Sequence, residues 1–299
     1  MSQNLREELN RITVNSLLKL FTKTPSKPSA HPKIVIKYGP PAAGKGSAEV
    51  RKLIEGFGDP IDSYININVD DVVESTAYFK NKSRALVNTI LKNPTQQNLN
   101  AFLNTAPVNE VQKFAKVYTD VRFTPNTKGL NIGTKLDTVL GKVIEAGTNI
   151  TIETTGINGF PNWLWKNYRE SLEHKKYTII VIFPTVDFQT TWLRYKTRPI
   201  QSYKSGGGFR FASTKTQLLN QYKKSYASMM DALQNKSIKW VNRVYIIKSP
   251  SYLKPGEKAS KTLLITRGAT GTGLRSGTRT PKDQSVKTVG VTRRIQKIF

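Results

Sequence analysis

Apolar residues recur along the chain in two rhythms. Short, nearly unbroken runs over 34–38, 64–68, 149–155, 177–184 and 240–248 predict buried β-strands. Segments with helical spacing lie between them and predict helices after Gly44 and over 83–91, 95–103, 109–118, 135–146, 162–174, 188–196 and 215–234. Alternation of buried strands with helices predicts an α/β fold with a parallel sheet covered on both faces. The helical stretch over 80–146 is too long for a simple crossover and is expected to form an insert or cap. In the helix over 162–174, Trp165 and Tyr168 share a face, the spacing of core residues.

The pattern divides the chain into three zones. In 1–32, Leu5, Leu9, Ile12, Leu17, Leu20 and Phe21 fall on one face of a helix, followed by a Pro-rich spacer. That stripe either packs on the main domain, the reading we favour, or offers a face to a protein partner. Residues 33–253 are the globular domain. Residues 254–299 hold eleven Lys or Arg against two acidic residues and few apolar ones. They are expected to form a flexible basic tail able to bind nucleic acid or another polyanion, or simply a solvating one.

Charge sharpens that expectation. The chain of 299 residues has 47 basic and 20 acidic residues, a formal charge of +27, which attracts polyanions. With no Cys, disulfides, thiolate metal sites and Cys nucleophiles are excluded, and two His are too few for a His-rich metal site. No apolar run approaches the roughly 20 residues of a membrane span. Charges within the first apolar stretch argue against a secretory signal, and a cytoplasmic, nucleic-acid-associated or virion-packaged setting is expected.

Candidate chemistry begins directly after the first strand. Gly39, Pro40, Pro41, Ala42, Ala43, Gly44, Lys45, Gly46 and Ser47 form a Gly-x4-Gly-Lys loop between a strand and a helix. There, backbone N–H groups and a helix N-terminus wrap the phosphates of a nucleoside triphosphate, ATP or GTP, and the lysine reaches the β- and γ-phosphates. Gly46 replaces the usual hydroxyl residue, and Ser47 is the next candidate to support Mg²⁺.

The loop is similar to that of adenylate-kinase-like enzymes, but their Asp-Gly-Phe-Pro-Arg motif is absent. Asn68-Val69-Asp70-Asp71 resembles the Asn-x-Asp-Glu segment of zeta-toxin-like P-loop kinases, and Glu153-Thr154-Thr155 resembles their Glu-Thr-Thr. The resemblance covers about 33–250. It implies five parallel strands in the order 2-3-1-4-5 and transfer of a γ-phosphoryl group to a hydroxyl of a sugar nucleotide, a nucleotide or a nucleic-acid 5′ end. It implies that Asp70 is the base for that hydroxyl. Asp71 either assists, with Ser47 as a metal ligand, or caps the next helix, the commoner use of such an Asp. Glu153 either supports Mg²⁺ and acceptor or is structural. Arg194, Arg198 and Arg210 flank a Gly206-Gly207-Gly208 run, which reads as a mobile cationic lid or as a basic surface loop. A second class of function stays open, a basic nucleic-acid-binding or virion structural protein that keeps the fold without catalysis.

Overall fold

The computed structural model describes residues 2–22, 27–92, 94–123, 131–234, 238–249 and 259–266. One sheet organises them, in the order β2-β3-β1-β4-β5-β6. The strands are β1 (Lys33–Tyr38), β2 (Ile65–Ile67), β3 (Ile150–Thr154), β4 (Thr178–Thr185), β5 (Arg243–Lys248) and β6 (Ser260–Thr266). The first five are parallel and stand in the expected order, the sheet of P-loop kinases. β6 is the addition. It runs antiparallel to β5 and lies inside the segment expected to be a tail. The apolar Leu263–Ile265 trio is its sequence signal; the basic residues beyond 266 lie outside the described residues.

Strand periodicity divides the core. Ile34, Ile36, Ile179, Val181 and Phe183 face a large cluster on one side of the sheet, whereas Val35, Ile180 and Ile182 face a smaller one on the other. The smaller face is covered by α3 (Ala48–Glu55) through Val50, Leu53 and Ile54. The large face takes α8 (Ile132–Glu145), α9 (Asn162–His174) and α11 (Lys215–Gln234). It also takes the N-terminal segment, which folds as α1 (Gln3–Arg11) and α2 (Val14–Phe21). The single stripe read from sequence is broken at Thr13, whose hydroxyl and Ser16 form a reciprocal capping box. Leu5, Leu9, Leu17 and Phe21 are buried in the domain core, so the apolar face is used internally. Leu20 alone of the stripe is markedly exposed. Glu8 fixes the docking by accepting the N–H groups of Ala77 and Tyr78, 2.5 and 2.8 Å away. These open α5 (Ala77–Ile90) and carry the positive end of its dipole.

The helical insert expected over 80–146 is shorter than that, because α8 packs on the large face of the sheet. It comprises α4 (Val69–Ser75), α5, α6 (Gln96–Thr105) and α7 (Val108–Arg122). Its own core packs Val87, Leu99, Phe102 and Phe114 against Trp192 and Ile200 of α10 (Phe188–Lys204), and against Phe209 and Phe211. Several boundaries differ from the sequence expectation; α5, for one, begins at Ala77 rather than at 83. α4 is absent from the sequence expectation, because about two turns of helix give too little periodicity to register. α10, expected over 188–196, runs on to Lys204 with Pro199 inside it. No described helix is long and apolar enough to cross a membrane.

Candidate active site

β1 ends at Tyr38 and the chain enters the loop that Gly39 to Ser47 form. Ser47 N-caps α3, its hydroxyl accepting the Val50 N–H at 3.4 Å. Ala42 holds φ +59°, a left-handed value rare outside glycine. Gly44, at φ +90°, lies where a Cβ would stand 3.1 Å from the Arg194 guanidinium. The close approach of that arginine therefore depends on glycine. Lys45 folds back, its ammonium donating to the Gly39 and Pro40 carbonyls at 2.8 and 2.9 Å. Burial pushes Lys45 down to about 8, although Glu153 and Asp70 pull it upward.

The loop forms one wall of a cleft of about 730 Å³ at the C-terminal ends of the parallel strands, where ligands bind in such sheets. Lys45, Ser47, Asp70, Glu153, Arg194, Arg198 and Arg210 all line it, which unites six candidate catalytic residues with the loop. Asp71 does not line it; its carboxylate accepts from the amides of Asn68 at 3.1 Å and Asn66 at 3.4 Å. Burial, reinforced by Glu153 and Glu74, raises Asp71 to about 6. The helix-capping role falls instead to Asn68, whose side-chain oxygen accepts the Asp70 N–H.

Asp70 is held at both oxygens. Tyr118 donates its hydroxyl to Oδ1, and the Arg210 guanidinium lies 2.8 Å from Oδ2. Burial raises the Asp70 carboxyl, but Arg210, Tyr118, Arg198 and Arg122 more than offset it, leaving Asp70 below the usual carboxylate range. Burial, then Asp70, drives the Tyr118 hydroxyl well up. For Arg210, burial opposes the charge, but Asp70 and Glu74 outweigh it and hold the guanidinium firmly charged. Glu153 pairs with Lys37 at 2.7 Å, and Lys37 also donates to Asn66 at 2.9 Å. Lys37 is a nearly buried strand lysine supporting Glu153 from beneath.

The glycine run is not built as a hinge. Gly207 N–H caps α10 on the Ser202 carbonyl at 2.7 Å. Gly208 lies where a Cβ would meet the Phe79 ring at 2.5 Å, so it is there for close packing on α5. Next to it, Phe209 donates its N–H to the Ser83 hydroxyl at 2.9 Å, and both Phe209 and Phe211 are fully buried. Arg84 ties down the same stretch by donating to the Tyr203 and Gly207 carbonyls at 2.7 and 3.1 Å. The stretch expected to be a lid or a basic surface loop thus forms a packed shoulder that presents Arg210 to the cleft.

Sequence reasoning missed Glu74, Tyr118, Arg122 and Lys37. Glu74 lies one turn after Asp70, a signal visible only once α4 is known. Tyr118 and Arg122 share a face of α7 at four-residue spacing, but Arg122 lies beyond the helix expected over 109–118. Trp165 and Tyr168 pack on the core as expected, while Trp163, on the same helix, lines the cleft half exposed.

No family model and no curated protein matches this chain. Among solved structures it is similar to one of the PezAT chromosomal toxin–antitoxin system of Streptococcus pneumoniae, at 14% identity and a TM-score of 0.41, over 83% of this chain and 77% of the other. The P-loop kinase fold is assigned here on strand order and the position of the phosphate loop.

Proposed function

We propose that the protein is a zeta-toxin-like P-loop phosphotransferase that moves the γ-phosphoryl group of ATP or GTP to a hydroxyl acceptor. One observation carries this reading: the loop lysine Lys45, the carboxylate of Asp70 in the first turn of α4 and three arginines share one cleft. Phosphoryl transfer needs positioning and neutralised charge more than covalent help from the protein. On nucleotide binding, Lys45 exchanges the Gly39 and Pro40 carbonyls for the β- and γ-phosphate oxygens. Arg194, Arg198 and Arg210 neutralise the charge of the transferring group. The acceptor oxygen forms its bond to the γ-phosphorus as the bond to the β-bridging oxygen breaks, and the acceptor proton passes to Asp70. Ser47 and Glu153 are oxygen donors facing the loop and suit Mg²⁺, which takes few protein ligands beside substrate phosphates. Bound there, the ion would neutralise the β- and γ-oxygens; Asp71, turned onto two amides, is the poorer donor.

Purified protein with labelled nucleotide and a panel of sugar nucleotides, nucleotides and 5′-hydroxyl oligonucleotides tests the proposal. Transfer should fall at least a hundredfold in Lys45→Ala and in Asp70→Asn, with nucleotide binding lost only in the first. No Lys45-dependent transfer to any acceptor would overturn it. The net charge of +27 favours a second reading, a protein that binds nucleic acid through its basic residues whether or not the site turns over.

A further inference from the structure

Two arginines aimed at a phosphate site repel one another and, unconstrained, sample many rotamers. In this cleft one carboxylate restrains both. Glu74 lies on the same face of α4 as Asp70, four residues on. Its Oε1 meets Arg210 Nη1 at 2.6 Å and Arg198 Nη2 at 3.0 Å, and its Oε2 meets the same Arg198 nitrogen at 3.3 Å. Arg198 arrives from α10 and Arg210 from the packed shoulder after it, so Glu74 is where two separate backbone segments are pinned to α4. Unlike Asp70, Arg198 and Arg210, Glu74 does not line the cleft.

We infer that Glu74 is a positioning residue that orients Arg198 and Arg210 toward the transferring phosphoryl group, doing statically what a closing lid does in a hinged enzyme. The inference rests on the phosphotransferase reading above. The shoulder gives such a residue its setting: Phe209, Phe211 and the Arg84 contacts already pack the segment against the insert, with Arg210 at the cleft. Preset donors cost no reorganisation as charge develops, which is where catalytic gain from electrostatics arises. The carboxylate also has a cost. It cancels part of the positive field that attracts a tetra-anionic nucleotide.

These two effects have opposite signs and separate on substitution. Glu74→Gln keeps the shape and removes the charge. It should bind nucleotide as tightly as the wild type or several-fold tighter by calorimetry, and turn over at least tenfold more slowly, with an unchanged melting temperature. Turnover within twofold of the wild type, or parallel losses of affinity, turnover and melting temperature, would overturn the inference. If the Gln variant does not fold, Arg198→Lys keeps the charge and loses the guanidinium nitrogen that meets both Glu74 oxygens. Its turnover should fall at least fivefold with affinity within twofold; unchanged turnover counts against Glu74. Wild-type protein without Lys45-dependent transfer would sink the phosphotransferase reading itself, a result distinct from a normal wild type with an indifferent Glu74 variant.

Discussion

At the level of single residues, the two adjacent aspartates have opposite electrostatic fates. Asp70 sits against a guanidinium and a phenol and stays ionised. Asp71, one position on, is buried among carboxylates and raised to about 6. The raised value has a direct consequence for stability. Between about pH 4 and 6 the unfolded chain loses the Asp71 proton first, so this residue makes stability fall as pH rises through that window. Asp71→Asn removes the penalty while keeping one acceptor oxygen for the Asn68 amide. It should raise stability at pH 7.5 by roughly 1–3 kcal/mol, and the gain should vanish below about pH 4, as read from denaturant midpoints across pH. The loop, Asp70 and Glu153 were legible in the sequence because strand ends are marked by apolar runs. Tyr118 and Lys37 were not, since each looks like ordinary helix or strand content until the fold brings a distant carboxylate to it.

At the level of elements, the insert and the sheet meet through the shoulder at 205–214. The sequence shows three consecutive glycines, and glycine runs read as flexibility. Here one glycine instead admits a phenylalanine ring from α5. Gly208→Ala places a methyl group where Phe79 already stands, and the ring is backed by core. We expect a destabilisation of about 1–3 kcal/mol, the usual range for overpacking. Turnover should fall further than stability alone explains, because Arg210 is displaced two residues away; thermal unfolding and single-turnover rates on the same sample separate the two effects. Strands and long helices were legible because burial writes its period into many positions. The short α4 was not, because seven residues carry too little period, and the break at Thr13 rests on one local capping box; only at Pro199 does packing of α10 override a local signal.

At the level of the whole molecule, charge and fold are partly separable. The eight Lys and Arg after residue 266 lie beyond β6, the last described strand, so a chain ending at Thr266 keeps every described strand of the sheet. Such a chain should melt like the full protein. Should the basic residues bind nucleic acid, it should also lose affinity and show a shallower dependence of log affinity on log salt. A chain ending at 253 is a different molecule, since it lacks β6 and bares the β5 edge. Its expected behaviour is loss of solubility, measured by sedimentation, because an unpaired apolar edge recruits other strands. The five-stranded parallel order was legible from β/α alternation and the loop resemblance together. The sixth strand was hidden by the basic composition around it, which resembles a solvated tail when judged by average rather than by its three central apolar residues.

That edge strand also sets a clock. β5 is hydrogen-bonded on one side as soon as it meets β4, but its other side waits for the 18 residues from 249 to 266 to be made. At about 5–20 residues per second, the nascent sheet spends on the order of 1–4 s with its edge uncovered. Slowing translation over this stretch, with rare codons for example, prolongs the interval in which the newborn chain is open to strand capture and to chaperones.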